Sequence, residues 1–73
     1  MSTKIWQGRG PNRGNVVEFE MFGGNKIVGY YLEYVKEFTI YYRISRTREK
    51  EDIVKISEDT IKSAKVLSRG RFE

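Results

Sequence analysis

From Val16 onward the apolar positions recur with period two. Val17, Phe19 and Met21 fall on one side and Glu18 and Glu20 on the other, which predicts a half-buried strand. Phe22-Gly23-Gly24-Asn25-Lys26 follows and predicts a tight turn, because Gly and Asn accept the positive φ that hairpin turns need. Residues 27–35 read as a second strand, and Gly29 inside it marks a bend, a bulge or a close backbone approach. Residues 35–37 make a second short turn. Residues 38–44 alternate again, with Phe38, Ile40, Tyr42 and Ile44 on one face and Thr39, Tyr41 and Arg43 on the other. Residues 45–52 are wholly polar and predict a solvated turn. Residues 53–56 are a short fourth strand.

Residues 57–68 fit two patterns. Ser57, with Glu58 and Asp59 behind it, resembles a helix start, Gly70 is a candidate cap, and Ile61, Ala64 and Leu67 share a helical face. The same residues also read as one helical turn near 57–60 and a last strand over 61–67. Short strands, Gly-rich turns and no long helix predict a mainly all-β chain. Its expected form is a small, strongly bent, five-stranded antiparallel barrel over residues 16–67. The alternative is four strands plus a C-terminal helix over residues 57–68. Before the barrel, residues 7–15 hold three Gly, one Pro and two Asn, which block helix and strand alike. Residues 1–15 are therefore expected to be a flexible basic arm, and residues 68–73 a short basic tail. Trp6 is either an anchor onto the body or an exposed stacking surface.

Composition narrows the chemistry. Seventy-three residues make one domain at most, and a domain this small buries only about 60 % of the surface that its unfolded chain exposes. There is no Cys and no His, so neither a disulfide nor a thiolate- or imidazole-bound metal can staple the fold. Self-association is the remaining route to extra stability. Fourteen Lys and Arg against ten Asp and Glu give a net charge of +4. Residues 1–15 carry +3 from Lys4, Arg9 and Arg13 and residues 53–73 carry +2, while the middle is close to neutral. Basic ends favour a polyanion partner, nucleic acid first. No stretch approaches the ~20 apolar residues of a membrane span, and the start lacks the apolar run of a signal peptide. A soluble cytoplasmic protein without a membrane partner is expected.

Residues 17–40 resemble the first Sm motif. Gly23 and Gly24, Gly29, Tyr31, Tyr34 and Phe38-Thr39-Ile40 fall at matching spacing. Ile56-Ser57-Glu58-Asp59-Thr60-Ile61 keeps both Ile positions of the second motif. The resemblance is to the Sm-like family, the LSm and Hfq proteins, and covers roughly residues 16–67. It implies a bent five-stranded barrel whose fourth strand pairs with the fifth strand of the next subunit, building a hexameric or heptameric ring that binds RNA. The pocket residues depart from the family. Thr39 stands where the base-contacting Asn is usual, Glu37 where a stacking residue is usual, and Ser57 and Glu58 where Arg and Gly are usual. The resemblance is one of scaffold, and the uridine pocket does not carry over.

The candidate chemistry is binding. No His or Cys nucleophile system and no metal-ligand cluster is present, Gly23-Gly24 lacks the Lys-Ser/Thr of a phosphate loop, and Glu18 and Glu20 read as solubilising charge. Neither catalysis, a cofactor nor a small-molecule substrate is expected. The Arg-Gly pairs Arg9-Gly10, Arg13-Gly14 and Arg69-Gly70-Arg71 put guanidiniums on pliable backbone, which suits phosphates. Trp6 and Tyr41 are stacking candidates, at roughly 1–3 kcal/mol per base. Tyr30 is on the outward phase as well, while Tyr31, Tyr34 and Tyr42 read as packing. A homo-oligomeric ring binding single-stranded RNA is the leading expectation. A monomeric barrel binding duplex DNA and an assembly protein, viral in origin, with no nucleic-acid role are the alternatives.

Overall fold

The computed structural model describes residues 5, 6 and 8–70. Five strands follow one another: β1 (Val16–Met21), β2 (Lys26–Lys36), β3 (Ile40–Ser45), β4 (Ile53–Ser57) and β5 (Ile61–Ser68). One three-residue helical turn, Glu58–Thr60, joins β4 to β5. All neighbours are antiparallel, and the single sheet runs β4-β3-β2-β1-β5. The sheet is bent but not closed, and β4 and β5 are its two outer strands. No helix among the described residues is long and apolar enough to cross a membrane.

The predicted β1–β2 turn forms where the glycines stand. Gly24 takes φ 95° and donates its N–H to the Met21 carbonyl at 2.9 Å, a conformation that a residue with a Cβ rarely adopts. β2 runs through Lys36, so the second turn falls on residues 37–39 and Phe38 sits at its tip, fully exposed rather than on the apolar face of β3. Residues 46–52 form the expected polar loop, closed by an Arg46 N–H to Asp52 carbonyl bond of 2.8 Å.

The alternative of a helix over residues 57–68 is not what forms. Pairing with β1 makes the segment a strand, and the helix-like spacing has a local cause. Met21 pairs with Ile61 but Glu20 pairs with Ser63, so Lys62 is an extra residue. Beyond this bulge Ala64 faces Phe19 and Val66 faces Val17, all toward the core. A second shift between Val16 and Val17 leaves Leu67 extra and exposed. Ile61 and Ala64 are thus three apart on one face because of a bulge, not a helical turn.

The core lies on the concave face. Val17, Phe19, Tyr42, Ile44, Ile56, Ile61 and Ala64 are buried there, and Ile5, Trp6, Met21, Ile27, Tyr31, Val54 and Val66 pack around them. Each fully buried Val, Ile or Phe contributes about 1.5–3 kcal/mol. The opposite face of β1 and β5 is polar, with Glu18 near Lys65 at 3.7 Å and Ser63 donating to Glu20 at 3.3 Å.

The segment expected as a flexible arm is tied down where it is described. The Ala64 N–H donates to the Ile5 carbonyl at 2.7 Å, and Trp6 makes a parallel bridge to Ala64. Further along, the Gly14 N–H donates to the Tyr31 carbonyl and the Tyr31 N–H to the Asn15 carbonyl, each at 2.8 Å, which extends the β1–β2 ladder by one step. Backbone hydrogen bonds that composition does not reveal override the loosening effect of the glycines.

Candidate nucleic-acid interface

The two basic ends meet at Asn15. Its side chain is buried and uses both ends of the amide. Asn15 Oδ1 accepts from the Asn12 N–H at 2.8 Å and from Arg69 Nη1 at 3.3 Å, and Asn15 Nδ2 donates to the Gly70 carbonyl at 2.9 Å. The Arg69 guanidinium also reaches back to the N-terminal segment, donating to the Gly10 carbonyl at 3.1 Å and to the Arg9 carbonyl at 3.2 Å. Asn12, Arg13, Asn15, Arg69 and Gly70 line an open cleft of about 320 Å³. Arg9 and Arg13 are exposed beside it. Arg71 lies outside the described residues.

Three of the four arginines singled out in the sequence are therefore brought to one place, in different roles. Arg69 spends hydrogen bonds on holding the ends together, and Arg9 and Arg13 are exposed residues beside it. Asn12 and Asn15 were legible only as breakers of helix and strand. The signal was present in Pro-Asn-x-Gly-Asn, since Asn side chains capture nearby backbone groups in turns. Asn15→Ala should cost about 1–3 kcal/mol by stranding the Asn12 N–H and the Gly70 carbonyl. A lowered urea midpoint with faster amide exchange at Gly14 and Tyr31 is the expected readout.

The aromatic candidates divide. Trp6 turns inward and anchors the N-terminal segment. It meets Phe19, Tyr31 and Tyr42 edge-on at centroid distances of 5.4, 6.2 and 5.8 Å, and its Nε1 donates to the Tyr42 hydroxyl at 3.1 Å. A ring so engaged does not offer itself to a base, so Trp6 is corrected from stacking candidate to anchor. Tyr41 faces away from Tyr42 on β3, half-buried, with the Lys55 ammonium 5.1 Å from its centroid. Tyr34 reads as packing in the sequence but sits at an exposed rim, against Tyr42 at 4.6 Å and donating its hydroxyl to Glu58 at 3.2 Å. A bulge keeps its ring on the side of Tyr31. Tyr31 pairs with Ile44 and Glu33 with Arg43, so Leu32 is extra and Tyr31 and Tyr34 share the concave side. Burial, reinforced by Tyr42, Glu33 and Tyr34, raises the Tyr31 pKa to about 12, so this hydroxyl stays neutral at any physiological pH.

The positions equivalent to the Sm pocket do not build an anion site. Thr39 and Ser57 share an open cleft of about 220 Å³ with Phe38, Ile40 and Asp59, and no base lines it. Glu58 is held by Tyr34, and Glu37 is exposed in the β2–β3 turn. Comparison of the chain with protein-family models, with curated proteins and with solved structures gives no match.

Proposed function

We propose that this protein is a non-catalytic binder of single-stranded RNA built on an Sm-like scaffold, and that it acts in the cytoplasm as a homo-oligomeric ring. The observation that carries the binding role is the convergence of the two basic ends. Arg69 joins the Gly10 and Arg9 carbonyls to the C-terminal tail, which places Arg9 and Arg13 on one exposed basic surface beside an open cleft. Guanidiniums on a surface of this kind contact phosphates without regard to sequence. Tyr41 on β3 and Tyr30 on β2 supply the half-exposed rings for stacking. The ring role is supported by the strand order, which leaves β4 and β5 as outer strands. Among the described residues β4 has a strand on one side only, and an outer strand of this kind invites a partner strand; a closed ring repeats the basic surface in every subunit, raising avidity without a new contact.

The test is a titration of labelled single-stranded RNA across about 50–200 mM salt. The double variant Arg9→Ala/Arg13→Ala should bind about tenfold more weakly for every sequence tried. Its log–log salt slope should shrink by about 1.4, or ~0.7 for each lost phosphate contact on a single strand. Unchanged affinity and slope would remove the basic surface from the binding role. Tighter binding of duplex DNA than of single strands, on a particle of monomer mass, would replace this reading with a duplex-binding barrel.

A further inference from the structure

We infer that the start of β2, residues 26–28, is a docking edge for an extended segment of a partner protein that alternates apolar and acidic residues. The inference stands apart from the RNA and ring readings. In an antiparallel strand the main-chain groups of successive residues point alternately to the two neighbours. Tyr31 bonds the Gly14 N–H and the Asn15 carbonyl, and the Asn25 carbonyl accepts from the Met21 N–H at 2.8 Å. Asn25 and Tyr31 therefore turn toward β1. The register between them runs without a shift, so Ile27 and Gly29 turn the same way. Lys26, Val28 and Tyr30 turn their main-chain groups to the opposite side. There β3 meets Tyr30 through Ser45 and pairs with no earlier residue of β2. The N–H and C=O groups of Lys26 and Val28 thus face an edge with no strand across it among the described residues.

An open cleft of about 280 Å³ lies along this edge, lined by Lys26, Ile27, Val28, Arg46 and Val54. Ile27 and Val54 belong to the margin of the core, and Val28 is 48 % exposed. A strand laid in the cleft continues the line of β3. Its inward side chains cover Ile27 and Val54 and are therefore apolar, while its outward ones stand beside Lys26 and Val28. Charge decides the outward set, because Lys26 and Arg46 line the cleft and no acid does. Asp52 is 3.7 Å from Arg46, but both side chains are exposed and such a pair contributes little. Glu20 flanks Lys26 from β1 and accepts from the Ser63 hydroxyl. A guest carboxylate would stand on the other flank of Lys26, as a cross-strand neighbour.

Edge hydrogen bonds, with a pocket for alternate side chains, are the means by which sheets take up extended peptides. No aromatic ring lines the cleft, so it offers a base no stacking surface. Within the chain the same alternation occurs in Val17-Glu18-Phe19-Glu20, but Val17 and Phe19 are fully buried in β1. The segment that fits is supplied by another protein.

The experiment is an NMR titration of the isotope-labelled full chain with the end-blocked peptide Val-Glu-Val-Glu-Val. The amide signals of Ile27, Val28, Arg46 and Val54 should shift together to saturation, and exchange of the Val28 amide should slow. The same peptide with Lys in place of Glu should bind about tenfold more weakly. In the docked strand the Glu N–H groups face β2 and the middle Val N–H faces away. N-methylation of both Glu residues should therefore weaken binding about tenfold, and N-methylation of the middle Val should leave it unchanged. Val28→Pro, which deletes one donor from the edge, and Lys26→Glu should each weaken the parent peptide. If circular dichroism finds Val28→Pro unfolded, Lys26→Glu carries the test. No saturable shift, or equal losses from the two N-methylated peptides, overturns the docking edge. Single-stranded RNA that moves these signals where the peptide does not gives the edge to nucleic acid and overturns the peptide. Peptide binding that fades as protein concentration rises gives the edge to a second copy and overturns the partner.

Discussion

Phe19→Ala should leave the domain largely unfolded in mild denaturant. Phe19 is fully buried at the centre of β1, opposite Ala64 on one side and Ile27 on the other, with the Trp6 and Tyr42 rings at 5.4 and 5.2 Å. Truncating a buried Phe costs about 3–5 kcal/mol, because the lost transfer energy is joined by an unfilled cavity. A domain of this length holds only about 4–11 kcal/mol in total. The change therefore removes between about a quarter of the stability and all of it. Urea unfolding followed by circular dichroism gives the loss as a lowered midpoint. Phe22→Ala is the control: Phe22 lies in the β1–β2 turn at 69 % exposure, and its loss should stay within about 0.5 kcal/mol. Equal effects at the two positions would contradict the core described above.

Gly29→Ala should destabilise as well, against the usual preference. Glycine inside a strand normally costs about 0.5–1 kcal/mol relative to alanine, so propensity alone predicts a gain. Here a Cβ would lie 2.8 Å from Ile44 Cδ1 and 2.9 Å from the Ser45 carbonyl oxygen. Ile44 is fully buried and has little room to swing, and the carbonyl belongs to the β2–β3 ladder next to the Tyr30–Ser45 pair. Overpacking of this kind costs about 1–3 kcal/mol, which outweighs propensity. With roughly 4–8 °C of Tm per kcal/mol in a domain this small, the expected fall is about 5–20 °C. Gly29→Val should fall further. A raised Tm for Gly29→Ala would mean that β2 and β3 do not approach as closely as described.

Gly29 also shows what the sequence made legible. Its place inside an apolar run marked a bend, a bulge or a close approach, of which the structure has the close approach to Ile44 and Ser45, and the same reasoning located β1, the Gly24 turn and the polar loop. Two ambiguities of phase share one physical origin. A bulge adds a residue to one strand only, so it reverses the inside–outside phase beyond it without changing composition. In β2 it sets Tyr34 on the side of Tyr31, and in β5 it gave Ile61 and Ala64 the spacing that left a helix open beside the strand that forms. The other gap was in the polar residues. Gly, Arg and Asn in residues 8–15 suggest looseness when counted. Asn15 and Arg69 act as tethers only because their partners lie at the far end of the chain, and that pairing leaves no trace in the local pattern. The arginines were found by their type, but the surface they form was set by those tethers.

The bond between Asn15 Nδ2 and the Gly70 carbonyl has a consequence for how the chain can be cut and joined. Its partners are 55 positions apart in sequence and in contact in space, so the fold is a loop that has almost closed on itself. A covalent link between these two positions would strain the folded state little, while it would remove closure entropy from the unfolded chain. A cut in the loop of residues 46–52 of such a linked chain would leave its two pieces joined through that link.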